Sequence, residues 1–134
     1  MSFVFEQALL DTSVVIDYPA QAVAGHAASA AVSTITLAEL AYGLHTSDLV
    51  INAARETRYH WIADTFDPIP FDKDAARIYG ALCAGVRAAG RDPRPRRFDL
   101  LIAAVAVALH LPLITRNEKD FRGIHQSLTV VAVS

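Results

Sequence analysis

Short apolar runs alternate along the chain with stretches in which apolar residues recur every three or four positions, and this alternation sets the expected elements. Ala8, Leu9 and Leu10 predict a short strand ending at Asp11. Residues 14–17 begin a helix that Pro19 cuts off or redirects. Residues 20–29 are small and polar and read as a loop or a frayed helix. Ala31, Val32 and Ser33 predict a second strand, after which Leu37, Leu40, Ala41 and Leu44 form one helical face. A further helix is expected over about 49–63, and a strand over 66–69 closed by Pro70. Ala75, Ile78, Tyr79, Leu82, Cys83 and Val86 again follow helical spacing, broken by Gly90 and the arginine- and proline-rich residues 91–97. Asp99 opens a very apolar helix reaching about His110. Leu113, Ile114 and Thr115 predict another strand, and residues 129–133 the last.

Strands separated by helices imply a parallel sheet covered on both faces, a three-layer αβα domain of the α/β class. The 134 residues suit a single domain over 1–134. In such sheets ligands bind beyond the carboxyl ends of the strands, so chemistry is sought there.

Composition narrows the setting. Hydrophobic residues make up 53% of the chain, rich for a soluble domain, although much of the excess is alanine. Cys83 stands alone in a helical pattern, which rules out an internal disulfide, fits a reducing compartment and reads as a small buried hydrophobe. The first six residues carry no basic segment and meet Glu6 early, so no leader peptide is expected. The apolar run 100–109 is too short to span a bilayer, and a cytoplasmic protein with no membrane partner is the expectation. Net charge is −2, so any affinity for nucleic acid must come from a local basic patch.

The candidate chemistry is acidic. Asp11 ends the first strand, Glu39 is expected in the first turn of the helix after the second, Asp99 opens the helix before the fourth, and Asn117 and Asp120 follow that strand. Each has an alternative as a cap or turn residue, since Thr36 to Glu39 has the form of a capping box and Asp99 suits a helix N-terminus. Together they place several negative charges at one sheet edge, if the first and fourth strands are neighbours. Such a cluster is costly unless a cation neutralises it. Carboxylate oxygens suit hard Mg²⁺ or Mn²⁺, whereas the five scattered histidines offer no zinc pair. Carboxylate-held Mg²⁺ in turn suits phosphodiester hydrolysis. No phosphate-binding glycine loop and no serine-hydrolase elbow are present.

Four segments resemble the acidic motifs of PIN-domain nucleases in order and spacing: Leu10-Asp11-Thr12-Ser13, Ser33 through Leu40, Arg97 through Ala104, and Thr115 through Phe121. Within that family the chain is similar to the VapC toxins of bacterial toxin–antitoxin modules. The resemblance covers the whole chain. It implies a Mg²⁺-dependent endoribonuclease acting on structured RNA such as tRNA or rRNA, a homodimer, and a cognate VapB-type antitoxin whose C-terminal segment covers the active site. It also implies that Asp11 and Asp99 are the principal metal ligands and that Glu39 binds metal or orients the attacking water. At the fourth position Asn117 stands where many relatives carry an acid, with Asp120 able to supply the charge through water. Ser13 and Thr115 are candidates for positioning ligands or phosphate through their hydroxyls, with a cap or strand-end role as the alternative.

Arg87, Arg91, Arg94, Arg96 and Arg97 crowd the approach to Asp99, and Arg116, Lys119 and Arg122 crowd the last motif. Of these, Arg94, Arg96, Arg97 and Arg116 are the expected RNA contacts, against the alternative of a solvated surface loop. No interleaved aromatic platform for bases is evident. The helices over 37–44 and 49–63, with Tyr42, Tyr59 and Trp61, offer either core or a groove for an antitoxin helix. Two other classes compete. A haloacid-dehalogenase-like phosphatase wants a second Asp two residues after Asp11, where Ser13 stands. A non-catalytic RNA- or protein-binding module on the same fold is the other.

Overall fold

The computed structural model describes residues 5–134; residues 1–4, part of the segment expected not to be a leader, lie outside the described residues. Four parallel strands, β1 (Phe5–Leu10), β2 (Ala27–Ala31), β3 (Leu113–Thr115) and β4 (Val130–Ala132), form a sheet in the order β2-β1-β3-β4. The first strand therefore lies directly beside the strand after the apolar helix, with Leu9 opposite Leu113 and Leu10 opposite Ile114.

Both faces of this sheet are covered because successive strand residues point to opposite sides and are apolar on each. Leu9 and Leu113 join one buried cluster, with residues of α5 (Lys73–Ala88), α6 (Arg97–Leu109) and Phe121. Ala8, Leu10 and Ile114 join another, with residues of α1 (Thr12–Val15), α2 (Ala20–Ala24), α3 (Thr34–Tyr42) and α4 (Leu49–Thr65). The central helix α6 is buried from Ile102 to Val107, which explains its lack of a polar stripe. It ends at His110 in the left-handed conformation, φ 55°, where the amide of Leu111 closes onto the Ala106 carbonyl at 2.9 Å.

Several expectations shift. Residues 20–29, read as a loop or a frayed helix, hold the short helix α2, in line with the second alternative, and also most of β2, which was not expected there. The second strand runs over Ala27–Ala31 rather than ending at Ser33. Its small residues carry little strand signal of their own, and pairing with β1 supplies the order. The strand expected over 66–69 reduces to one parallel bridge between Ser33 and Ile69, next to Pro70, which has no amide hydrogen to extend a ladder. The last strand narrows to Val130–Ala132. Residues 94–96 form a 3-10 turn that runs into α6, which thus starts two residues before Asp99, and α7 (Glu118–Phe121) follows β3. Among the described residues, no helix is long and apolar enough to cross a membrane.

Candidate active site

Asp11 stands at the carboxyl end of β1, 3% exposed. It occupies the N-cap position of α1 yet its side chain caps nothing. Instead Oδ2 accepts from Ser13 Oγ at 2.7 Å and from Thr115 Oγ1 at 2.9 Å. Both hydroxyls also accept backbone amides, Ser13 from Arg116 at 3.2 Å and Thr115 from Asn117 at 2.9 Å. The turn after β3 is thus tied to the end of β1 through one carboxylate, whose Oδ1 accepts no hydrogen bond among the described residues.

Glu39 does not form a capping box. Helix α3 begins at Thr34 with Ser33 as its cap, so Glu39 lies in the second turn rather than the first. Its Oε1 accepts from Thr12 Oγ1 at 2.7 Å, and that hydroxyl lies 2.9 Å from Thr36 Oγ1. Burial, and secondarily the charge of Asp11, push the Glu39 carboxyl above its ordinary range, against the opposing effect of the Thr12 bond. Asp99 is half-buried in the first turn of α6, whose cap position is Arg96. Burial first, then the charges of Asp11, Asp120 and Glu39, raise its pKa from 3.8 to about 6, with Arg96 pulling the other way. Asp120 sits exposed in α7, and Asn117 precedes that helix without capping it through its side chain.

Side-chain capping is therefore not what these residues do, although Asp99 and Asp120 do stand as acids in the first turns of α6 and α7. Helix capping falls to other acids: Asp48 accepts the amides of Val50 and Ile51, each at 3.1 Å, and Asp72 that of Ala75 at 2.9 Å. The carboxylates at the sheet edge are left to one another. As placed, no group of three metal-ligating side chains among the described residues stands close enough to hold an ion ready-made. The donor set nevertheless fits a hard cation: it is all oxygen, and Asp99 feels three neighbouring negative charges that an ion would offset.

The arginines divide. Arg116, expected to meet RNA, is spent on backbone: Nε donates to Ser13 O at 3.0 Å, Nη2 to Asp17 O at 2.8 Å, and Nη1 to Ser134 O. Arg94 is exposed and bonded to Asp92, with Nη2 3.0 Å from Oδ2. Arg97 lies over the Phe98 ring, 5.8 Å from its centroid, and shares a cavity of about 340 Å³ with Glu39, Tyr42 and Phe98. Arg96 is half-buried, and its Nε and Nη2 are closed to solvent with no acceptor among the described residues. Leaving such donors unpaired costs about 1–3 kcal/mol each.

Sequence reasoning missed Thr12 and Thr36, whose hydroxyls join Glu39 to the first motif. It also missed the exposed Phe98, which lines one cavity with Glu39 and with Tyr42, a residue named only for core or an antitoxin groove. The position of Thr12 directly after Asp11 was the only available signal.

Residues 8–125 match the family model described as PIN domain. Ribonuclease VapC5 of Mycobacterium tuberculosis (strain ATCC 25618 / H37Rv) is 38% identical over 101 residues, 75% of this chain and 72% of that protein. Among solved structures, VapBC-5 from Mycobacterium tuberculosis, a member of the VapBC family of toxin–antitoxin systems, matches with a TM-score of 0.81 at 34% identity, covering 96% of this chain and 99% of that one. VapBC2 from Rickettsia felis, bound to a DNA fragment from its promoter, matches at 0.78 with 25% identity over 96% and 99% of the two chains. A toxin–antitoxin complex from Klebsiella pneumoniae matches at 0.66 with 30% identity over 93% and 96%.

Proposed function

Because the chain belongs to the PIN-domain family and is similar within it to VapC ribonucleases, we propose that it is a metal-dependent endoribonuclease toxin. Its cofactor is Mg²⁺, with Mn²⁺ able to substitute. Its substrate is structured RNA such as tRNA or rRNA, cut in the cytoplasm. The observation that supports the reading is the electrostatic neighbourhood at the sheet edge: the hydroxyl of Thr12, next to Asp11, donates to Glu39 at 2.7 Å, and the charges of Asp11 and Glu39 help to raise the Asp99 pKa.

Asp11, Asp99 and Glu39 would hold the ion, with Asp120 acting through water. When bound, the cation supplies charge neutralisation at the phosphate and an attacking water of lowered pKa. The chain's own groups do the rest. Ser13 and Thr115 fix the Asp11 carboxylate by engaging one oxygen and leaving the other free. Glu39, whose pKa burial raises, is suited to accept a proton from water as it attacks phosphorus and the bond to the leaving ribose oxygen breaks. Asn117 keeps the fourth position neutral, which leaves the added charge to Asp120.

The proposed partner is a cognate VapB-type antitoxin. Tyr42, Leu49 and Val50 are 93%, 83% and 81% exposed, an apolar face on α3 and α4 suited to an amphipathic helix. A homodimer completes the proposed assembly. The test is incubation of the purified chain with total RNA, with Mg²⁺ and with chelator, beside Asp11→Asn, followed by mapping of new ends. Discrete cuts that need both the metal and Asp11 are expected. Cutting that survives chelation or the substitution would overturn the reading, and absence of cutting would leave a non-catalytic binding module on this fold.

A further inference from the structure

Behind the acidic edge, a cavity of about 320 Å³ is lined by Arg91, Arg96, Lys119 and Arg122, with no acidic residue in its wall. The segments that carry the acids also build it: Arg96 lies one turn before Asp99, and Lys119 directly precedes Asp120. Arg122 is paired, its Nη2 2.8 Å from Glu118 Oε2. Arg91, Arg96 and Lys119 have no ion pair among the described residues. Arg96 goes further, for its Nε and Nη2 are closed to water and meet no acceptor.

Three cations without ion pairs around one cavity, in whose wall no carboxylate stands, lack an anion. The neighbouring cations would repel one another without such a charge between them. We infer that this basic cavity is a phosphate pocket, holding one RNA phosphodiester near the bond that the acidic edge cuts. This rests on the ribonuclease reading above and extends it to a substrate subsite. The exposed Arg91 and Lys119 take the non-bridging oxygens, while Arg96 adds its charge from the pocket wall. The volume leaves room for the attached ribose.

The test uses the full chain in chelator, so that nothing is cut, with fluorescently labelled total tRNA followed by anisotropy over a range of salt. Arg91→Gln and Lys119→Gln alter exposed side chains, and thermal melting checks that each variant folds. One shared phosphate predicts that either substitution weakens binding and flattens the plot of log K against log salt by about 0.7–0.9. The double variant flattens it no further, because the same contact is lost. Unchanged slopes, or slopes that fall additively, overturn the single pocket while the nuclease reading stands. Variants that bind RNA normally but lose a purified antitoxin would assign the pocket to a protein carboxylate instead. Wild-type protein that neither binds tRNA in chelator nor cuts it in Mg²⁺ would overturn both readings.

Discussion

Replacing Asp99 by asparagine keeps the side chain's shape and removes one charge from the crowded edge. The native carboxyl titrates near 6 rather than 3.8, held there by burial and by Asp11, Asp120 and Glu39. A rise of that size corresponds to roughly 3 kcal/mol of unfavourable ionisation, and half-exposure of the group reduces this to about 1–2 kcal/mol. The folded state binds the proton more tightly than the unfolded one. The penalty is therefore absent below about pH 4, grows as pH rises through the window up to 6, and is complete at neutrality. In chelator at neutral pH, Asp99→Asn should thus melt higher than wild type, by roughly 3–10 °C for a domain of this size. The gain should fade toward pH 4. Added Mg²⁺ should raise the melting point of wild type more than that of the variant, since an ion bound only to the folded state stabilises it by mass action. Differential scanning calorimetry across pH reads all three effects. A variant no more stable than wild type at neutral pH, or a gain independent of pH, would refute the electrostatic argument.

Four other variants probe the supports of the site and the partner surface. Thr115→Val removes a fully buried hydroxyl that bridges Asp11 and the Asn117 amide; urea unfolding should show a loss of about 2–3 kcal/mol, and a loss below about 0.5 kcal/mol would mean that the bridge is unimportant. Arg116→Ala should lower stability yet leave the salt dependence of tRNA binding unchanged, because its donors serve backbone; a flatter salt plot would return it to the RNA surface. Leu49→Glu combined with Val50→Glu should leave cleavage and melting near wild type while weakening inhibition by the antitoxin, and undiminished inhibition would place that partner elsewhere. Phe121→Ala, at a side chain 1% exposed, should cost about 3–5 kcal/mol by chemical denaturation, with a smaller value implying that α7 is loosely seated.

Much of the architecture was legible because β3, the second half of β1 and most of α6 announce themselves through unbroken apolar runs, as buried segments must. The edge strand β2 was misplaced because five small residues signal nothing until they pair with β1. The stretch 66–69 has strand-like residues, but it gains only a bridge to Ser33, a tertiary outcome that local pattern cannot encode. The acids at the site stood out by type and spacing. Their freedom from capping duty did not, since Thr36 to Glu39 mimics a capping box and only the true cap, Ser33, dispels it. Charge count likewise misjudged Arg116, whose role is set by which carbonyls surround it. It undervalued Arg91 and Lys119, which come to line one cavity only through the fold.

The central claim is that side chains 88 residues apart, Asp11 and Asp99, share one divalent cation. Crystals grown with Mn²⁺ and measured at its absorption edge address this directly. The account predicts a single anomalous peak within coordination distance of both carboxylates, with Glu39 or Asp120 reached directly or through water. A peak on one carboxylate alone, or none at the carboxyl edge of β1 and β3, would contradict it.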